Sequence, residues 1–299
     1  MKLDSPFNKV LITGINGFTG VHLEAYLSGK GFDVYGTVID TSKQAKHFQC
    51  DIREKDQVDH VISSVRPDYV IHIAAISFVG ESDASLMYEV NVLGTENLLK
   101  SLLKHEVRPK KVIVASSATV YGNQNKKVLD ESLCPKPVNH YGISKLAMEH
   151  MAANYFESFD IMITRPFNYT GIGQEAHFLI PKIVSHFKEG KKVIELGNIH
   201  VAREFNAVDY VTEVYHKLLL SDVRSEVVNL SSNKPIKLLD VIEMMQEIAG
   251  YDIEVKINPK FVRDNEIDSL AGSTEKLTTT IGPIETKEFK ITLRDMIEA

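Results

Sequence analysis

Over the first half of the chain, short runs of apolar, mostly β-branched residues alternate with longer stretches whose apolar positions recur every three or four residues. Unbroken short runs are the pattern of buried strands, and the longer spacing is that of helices with one packed face. The pattern predicts strands over residues 9–13, 33–39, 69–73, 111–115 and 161–164. It predicts helices over 22–28, 55–65, 86–105 and 144–156. Runs such as Val10-Leu11-Ile12 and Val112-Ile113-Val114 leave no polar face, so these strands are expected to be covered on both sides. Strand–helix alternation of this kind gives βαβ units, and hence an α/β, doubly wound parallel sheet.

The pattern changes near residue 168. Helical periodicity at 178–188 and 238–249 is separated by longer polar, irregular segments, and 227–230 reads as one more strand returning to the sheet. The expected organisation is a first domain made of 1–168 with about 205–231, and a smaller interleaved C-terminal lobe made of 169–204 and 232–299. Ligands of such sheets bind outside the carboxyl ends of the strands, so residues there carry the functional argument.

Composition narrows the class. A length of 299 residues, 43% apolar and 25% charged, is that of a globular protein with a sizeable core. A formal charge of −6 leaves no basic footprint for nucleic acid. Cys50 and Cys134 cannot form a disulfide framework, and no cysteine–histidine spacing fits a metal, so reduced thiols in a cytoplasmic protein are expected and no metal. The longest apolar stretch, 69–79, contains His72 and Ser77 and is too short to span a bilayer, which speaks against a membrane partner.

The first strand runs directly into Gly14-Ile15-Asn16-Gly17-Phe18-Thr19-Gly20 and then a helix. Glycines in a strand–turn–helix context permit a tight turn and close approach of a pyrophosphate, which sits on the helix N-terminus. Gly14, Asn16, Gly17, Phe18, Thr19 and Gly20 are therefore the candidate dinucleotide turn of a Rossmann domain. An acid after the second strand holds the adenosine ribose; Asp40 stands 20 residues after Gly20, while alignment by the strand itself puts Val38 at that place. No arginine stands there to bind a 2′-phosphate, so NAD and NADP both remain open. Asp51, followed by Ile52, is in place either to reach the adenine amine or to act as a solvated acid or helix cap.

Tyr141 and Lys145 are four apart at the start of a helix, which puts both on one face. A free phenol ionises near 10, and a neighbouring ammonium favours the phenolate; lowering that value by roughly three units corresponds to about 4 kcal/mol. A tyrosine so poised exchanges a proton with a hydroxyl or carbonyl during hydride transfer. Ser117, at the end of the 111–115 strand, is placed to hydrogen-bond the same carbonyl oxygen, whereas Ser116 is the better candidate for capping the next turn.

Taken together, the glycine turn, Asp51, His72-Ile73-Ala74-Ala75, Asn91-Val92-Leu93-Gly94-Thr95, Ser117-Ala118-Thr119-Val120-Tyr121-Gly122 and the Tyr141/Lys145 pair resemble the extended short-chain dehydrogenase/reductases, over essentially the whole chain. The resemblance implies Ser117, Tyr141 and Lys145 as catalytic residues, with Ala74, Ala75 and Asn91 lining the cofactor site and Ser77 and Thr119 near the substrate. Residues 165–174 (Arg165-Pro166-Phe167-Asn168-Tyr169-Thr170-Gly171-Ile172-Gly173-Gln174) are most similar to GDP-mannose 4,6-dehydratases and GDP-6-deoxy-4-keto-mannose reductases, which implies Asn168 and Gln174 in substrate binding. The stretches around Gly197…Arg203-Glu204-Phe205…Asp209 and Val262-Arg263-Asp264-Asn265-Glu266 look like the same group's later motifs, with Asp264 where a proline is usual. They imply Arg203, Arg263 and Glu266 around the nucleotide diphosphate, a group that a planar guanidinium fits bidentately.

The resemblance also separates reactions. Dehydratases of this family follow the catalytic hydroxyl with acidic residues; here those positions are Ala118 and Thr119, neither of which is a general acid or base. Reduction of a nucleotide-linked 4-keto-6-deoxy sugar (GDP- or dTDP-linked) by NAD(P)H is the expectation, with UDP-hexose 4-epimerisation on tightly bound NAD as the alternative. A dinucleotide-sensing binding protein is the alternative of another class; such relatives commonly lose the tyrosine or lysine, and here Ser117, Tyr141 and Lys145 all stand. The faces of helices 86–105 and 144–156 resemble those by which relatives pair into a homodimer through a four-helix contact.

Overall fold

In a computed structural model of the chain, residues 8–77, 83–262 and 269–299 are described. The chain opens with β1 (Lys9–Thr13), α1 (Phe18–Gly29), β2 (Asp33–Val38), β3 (His47–Gln49), α2 (Lys55–Val65) and β4 (Tyr69–His72). After α3 (Ala84–Tyr88) comes a π-helical stretch over Glu89–Gly94, then α4 (Thr95–Lys104), β5 (Lys111–Ala115), a 3-10 turn over Ala118–Tyr121 and β6 (Val128–Leu129). They lead to α5 (His140–Ala153), β7 (Ile161–Pro166), β8 (Tyr169–Thr170), α6 (Leu179–Lys188), β9 (Val193–Leu196), β10 (Ala202–Glu204), β11 (Asn206–Ala207) and α7 (Val208–Leu219). The rest is β12 (Glu226–Leu230), β13 (Pro235–Lys237), α8 (Leu238–Ala249), β14 (Glu254–Ile257), β15 (Ser269–Gly272), α9 (Glu275–Ile281) and α10 (Phe289–Glu298).

Seven strands form one sheet in the order β12-β7-β5-β4-β1-β2-β3, and every pairing in it is parallel. Alternate residues of its central strands go to opposite faces, and both faces are apolar. Val10 and Ile12 pack with Leu23 and Leu27 of α1 and Val211, Val214 and Leu218 of α7. Leu11, Val70, Val112 and Val114 pack with Val61 and Ile62 of α2, Leu98 and Leu102 of α4, and Met148 of α5. This two-sided burial is why the strands read as unbroken apolar runs. A third cluster lies in the second half, where α6, α8 and α10 pack through Ile183, Val241, Met245 and Leu293. Leu277 of α9 packs in the core beneath the large sheet.

Several predicted bounds shift, each for a local reason. The helix expected over 22–28 begins at Phe18, because Gly17 is its extended N-cap and the helix rises directly from the glycine turn. The helix expected from 144 begins at His140, where the Asn139 side chain accepts a hydrogen bond from Gly142 N at 2.8 Å. It ends at Ala153 rather than 156. The single helix expected over 86–105 is broken by the π stretch at Glu89–Gly94. Strands expected to end at 39 and 73 end at Val38 and His72, and the 161–164 strand continues through Pro166. The helix expected from 178 starts at Leu179, with Phe178 as its extended N-cap.

Candidate functional site

The carboxyl ends of β1, β4, β5 and β7 converge on the glycine turn and the start of α5. Gly14 has φ +73°, a left-handed conformation that glycine adopts freely. Its backbone N–H donates to Thr37 O at 3.1 Å, and a Cβ there would stand 3.1 Å from Ala74 Cα. A Cβ on Gly20 would stand 2.4 Å from Ile15 O and 2.6 Å from Gly14 O, so only glycine lets α1 pack this closely on the turn. Asn16 and Gly17 are exposed and Phe18 and Thr19 half-buried, and the N-terminus of α1 carries no side-chain cap. An uncapped helix end over a bare backbone turn is a cradle for a diphosphate, so these residues fit a dinucleotide.

Under this turn lies a buried polar chain that the pattern of residues did not single out. His72 Nδ1 is 2.7 Å from Thr13 Oγ1, and His72 Nε2 is 2.8 Å from Thr95 Oγ1. Thr95 donates to Asn91 O at 2.7 Å, while Thr13 Oγ1 accepts from the Ile73 and Ala74 N–H groups at 3.2 and 3.1 Å. Thr95 having given its proton to Asn91, His72 must donate from Nε2 and accept at Nδ1, which fixes a neutral tautomer. Burial, with Lys145 nearby, pushes the His72 pKa down to about 3. The visible signal is a threonine and a histidine at the ends of otherwise apolar strands.

Asn91 lies in the π stretch, a kind of helix distortion that recurs at functional sites. Its Oδ1 accepts from Ile76 N at 2.9 Å, and its Nδ2 donates to Ile76 O and to Ser144 Oγ, both at 3.1 Å. It therefore ties the segment after β4 to α5. Half-buried Ala74 and Ala75 lie between Gly14 and this tie, and Ser77 is exposed beyond them.

Ser117, Tyr141 and Lys145 come together here. The Ser117 hydroxyl accepts from Thr119 N at 3.2 Å and from Thr119 Oγ1 at 2.9 Å, which leaves its own proton to give. Ser117 thus caps the 118–121 turn. Ser116, expected to be the cap, is instead buried with a hydroxyl that has no partner. Lys145 is buried, and its Nζ donates to Ala115 O at 2.7 Å. Burial lowers its pKa to about 8, against the opposing pull of the Glu149 carboxylate. The Tyr141 phenol behaves contrary to expectation: burial pushes its pKa up to about 12, against a downward pull from a Ser117 hydrogen bond. Desolvation outweighs the charge effect anticipated from the ammonium.

Other predicted residues distribute unevenly. Asp40 is exposed just past β2. Asp51 is held by Arg53, whose Nη2 donates to Asp51 Oδ2 at 2.6 Å and whose Nε lies 3.0 Å from the same oxygen. The guanidinium keeps the Asp51 carboxyl below the usual carboxylate range. Ile52 turns its side chain into the core, where a Cβ on Gly94 would meet its Cγ2 at 2.5 Å. Asn168 is exposed at the head of the segment after β7, and its backbone O accepts from Asn206 N at 2.9 Å. Gln174 braces that segment internally: its Oε1 accepts from Thr170 Oγ1 at 2.7 Å and its Nε2 donates to Tyr169 O at 3.2 Å. Arg203 is buried, with Nη1 donating to Ala202 O at 2.7 Å. Arg263 and Glu266 lie outside the described residues.

A buried ion pair backs the site. Arg165 donates from Nε and Nη2 to the two Glu149 oxygens at 2.9 and 2.7 Å, and its guanidinium lies 4.8 Å from the Tyr121 ring centroid. Among the described residues, no group of three or more His, Cys, Asp or Glu is placed to hold a metal. No helix among them is long and apolar enough to cross a membrane.

Comparison with known proteins places this geometry. The profile of the family described as GDP-mannose 4,6 dehydratase matches residues 11–296. A GDP-6-deoxy-D-talose 4-dehydrogenase of Aggregatibacter actinomycetemcomitans is 36% identical over 275 residues, covering 92% of this chain and 91% of that protein. A GDP-6-deoxy-D-mannose reductase of Pseudomonas aeruginosa is 31% identical over 285 residues, covering 92% and 91%. The solved structure of RMD from Pseudomonas aeruginosa, complexed with NADPH, superposes with a TM-score of 0.86 at 29% identity, covering 98% of this chain and 97% of that one.

Proposed function

The chain belongs to the GDP-mannose 4,6-dehydratase family of extended short-chain dehydrogenase/reductases, and on that premise we propose that it is an NAD(P)H-dependent reductase of a nucleotide-linked 4-keto-6-deoxy sugar. The observation that carries the reading is the gathering of Ser117, Tyr141 and Lys145 beside the glycine turn, with Ala118 and Thr119 following the catalytic hydroxyl. Thr119 spends its hydroxyl on Ser117, so neither residue after Ser117 handles a C5 proton or a leaving water. The GDP-linked sugar is preferred because both named relatives act on GDP-6-deoxy sugars.

The glycine turn would hold the pyrophosphate of a dinucleotide, whose reduced nicotinamide would supply the hydride. Tyr141 gives the proton to the C4 oxygen, Ser117 orients that oxygen with its remaining proton, and Lys145 holds the nicotinamide ribose and tunes the phenol. Burial keeps the Tyr141 phenol protonated, the form in which it can give its proton to the C4 oxygen.

We assign 1–168 with about 205–231 to dinucleotide binding, and 169–204 with 232–299 to the sugar nucleotide, Asn168 and Arg203 facing its diphosphate. We further propose that the protein works in the cytoplasm, where reduced nicotinamide and thiols coexist, as a homodimer pairing through α4 and α5.

The test mixes purified protein with NADPH or NADH and a freshly made 4-keto-6-deoxy sugar nucleotide derived from GDP-mannose or dTDP-glucose. Stoichiometric loss of the reduced-nicotinamide absorbance is expected, with the C4 configuration of the product read by NMR. Silence with both sugars and both coenzymes would sink the reductase reading.

A further inference from the structure

The segment carrying Asn168 is bonded to the dinucleotide turn itself. Tyr169 OH lies 2.7 Å from Thr19 Oγ1, where either atom can be the donor, and its ring stacks on Phe18 with centroids 5.9 Å apart. Three residues on, Ile172 O is 2.8 Å from His22 Nε2, one turn further along α1. Gly171 lies between α7 and the turn: a Cβ there would stand 2.6 Å from Val208 Cγ1 and in ordinary contact, 3.6 Å, with the Phe18 ring. On its other side the segment is pinned by the parallel pairing of β8 with β11 and by Gln174. Thr19 and Phe18 form the first turn of α1, where a diphosphate sits.

We propose that Tyr169 is a positioning residue that couples the two ligands, so that a dinucleotide on the glycine turn tightens binding of the sugar nucleotide and the reverse. The proposal rests on the reading of the site as a dinucleotide and sugar-nucleotide site. When a pyrophosphate occupies the turn, the Thr19 hydroxyl turns its proton toward the anion and becomes an acceptor. Tyr169 then has one role left, that of donor, and a hydrogen bond polarised in this way is stronger than one whose direction is free. Strengthening it fixes the 168–172 segment, so the second ligand meets a site already ordered and loses less entropy on binding. Reciprocity is a thermodynamic necessity: both affinities change by the same factor.

The test is calorimetric titration of the full chain with NADPH, in the absence and presence of saturating GDP, and the converse titration of GDP with and without NADPH. Wild type is expected to give the same coupling factor from both directions, about fivefold or more. Tyr169→Phe keeps the ring on Phe18 and loses only the hydroxyl; its coupling factor should fall toward one. Thr19→Val should do the same, and the double variant should lose no more than either. A merely structural role would change affinities without moving their ratio. Unit coupling in wild type, or undiminished coupling in Tyr169→Phe, overturns the proposal while leaving the functional reading intact. If GDP, dTDP and UDP all fail to bind a protein that binds NADPH, the proposal and the sugar-nucleotide reading fall together.

Discussion

At the scale of the residue, the site works against its own burial. Lys145 is only 3% exposed and its pKa is lowered to about 8. For a base whose native pKa lies below its unfolded value, the penalty is in full force below the native pKa. Between about pH 8 and 10.5 the unfolded chain binds more protons than the native one, so stability rises with pH in that window. Urea titrations of the coenzyme-free protein should therefore show wild type gaining on the order of 3 kcal/mol over Lys145→Met as pH goes from 7 to 10. Parallel curves for the two proteins would refute the assignment. A buried lysine held at such a cost in stability fits the role proposed for Lys145 in the reaction. Tyr141→Phe should keep coenzyme binding, followed by fluorescence of the reduced nicotinamide, and lose turnover by about 10²- to 10⁴-fold. A Phe variant with normal turnover would remove Tyr141 from the mechanism.

At the scale of the element, the site is held by what joins α5 to β7. Glu149 lies one turn beyond Lys145, and its pairing with Arg165 fixes the helix that carries Tyr141 against the strand that leads into Asn168. Both partners are buried, so Glu149→Gln strands a cation in the core and should cost about 3–5 kcal/mol in chemical denaturation. A loss under 1 kcal/mol would mean that Arg165 finds another acceptor. Elements were legible where the burial pattern was regular: β1 and β5, covered on both faces, and α2, with one packed face, lie where the apolar positions put them. The π stretch was not legible, because the apolar spacing passes through it unbroken. Within it Asn91 turns its side chain to the backbone of Ile76 fifteen residues earlier, and no local pattern carries such a contact. The many two- to four-residue strands of the second half were likewise too short to leave a period.

At the scale of the whole molecule, topology decides which sequence signals meet. The parallel sheet delivers the carboxyl ends of β1, β4, β5 and β7 to one end of the sheet, so motifs more than a hundred residues apart meet there. Gly14, Ser117, Tyr141 and Lys145 were legible because each stands at a strand end or helix start with its neighbours in order. The Thr19–Tyr169 bond spans 150 residues, and the Glu204 hub bonds Ser231, Ser232 and Gly272 across three segments; these were not legible, since each exists only once the chain has closed. The same topology leaves α4 and α5 side by side on the outside of the sheet. Leu93, 52% exposed, and Ile143, 41% exposed, stand on adjoining elements there. Two apolar side chains facing water on helices already packed from behind are what a twofold pairing would cover, each copy offering the same patch to the other. Sedimentation velocity should find wild type a dimer, and the double variant Leu93→Arg, Ile143→Arg a monomer, because like charges would then meet across the twofold axis. A wild-type monomer, or a variant that still pairs, would move the interface elsewhere or remove it.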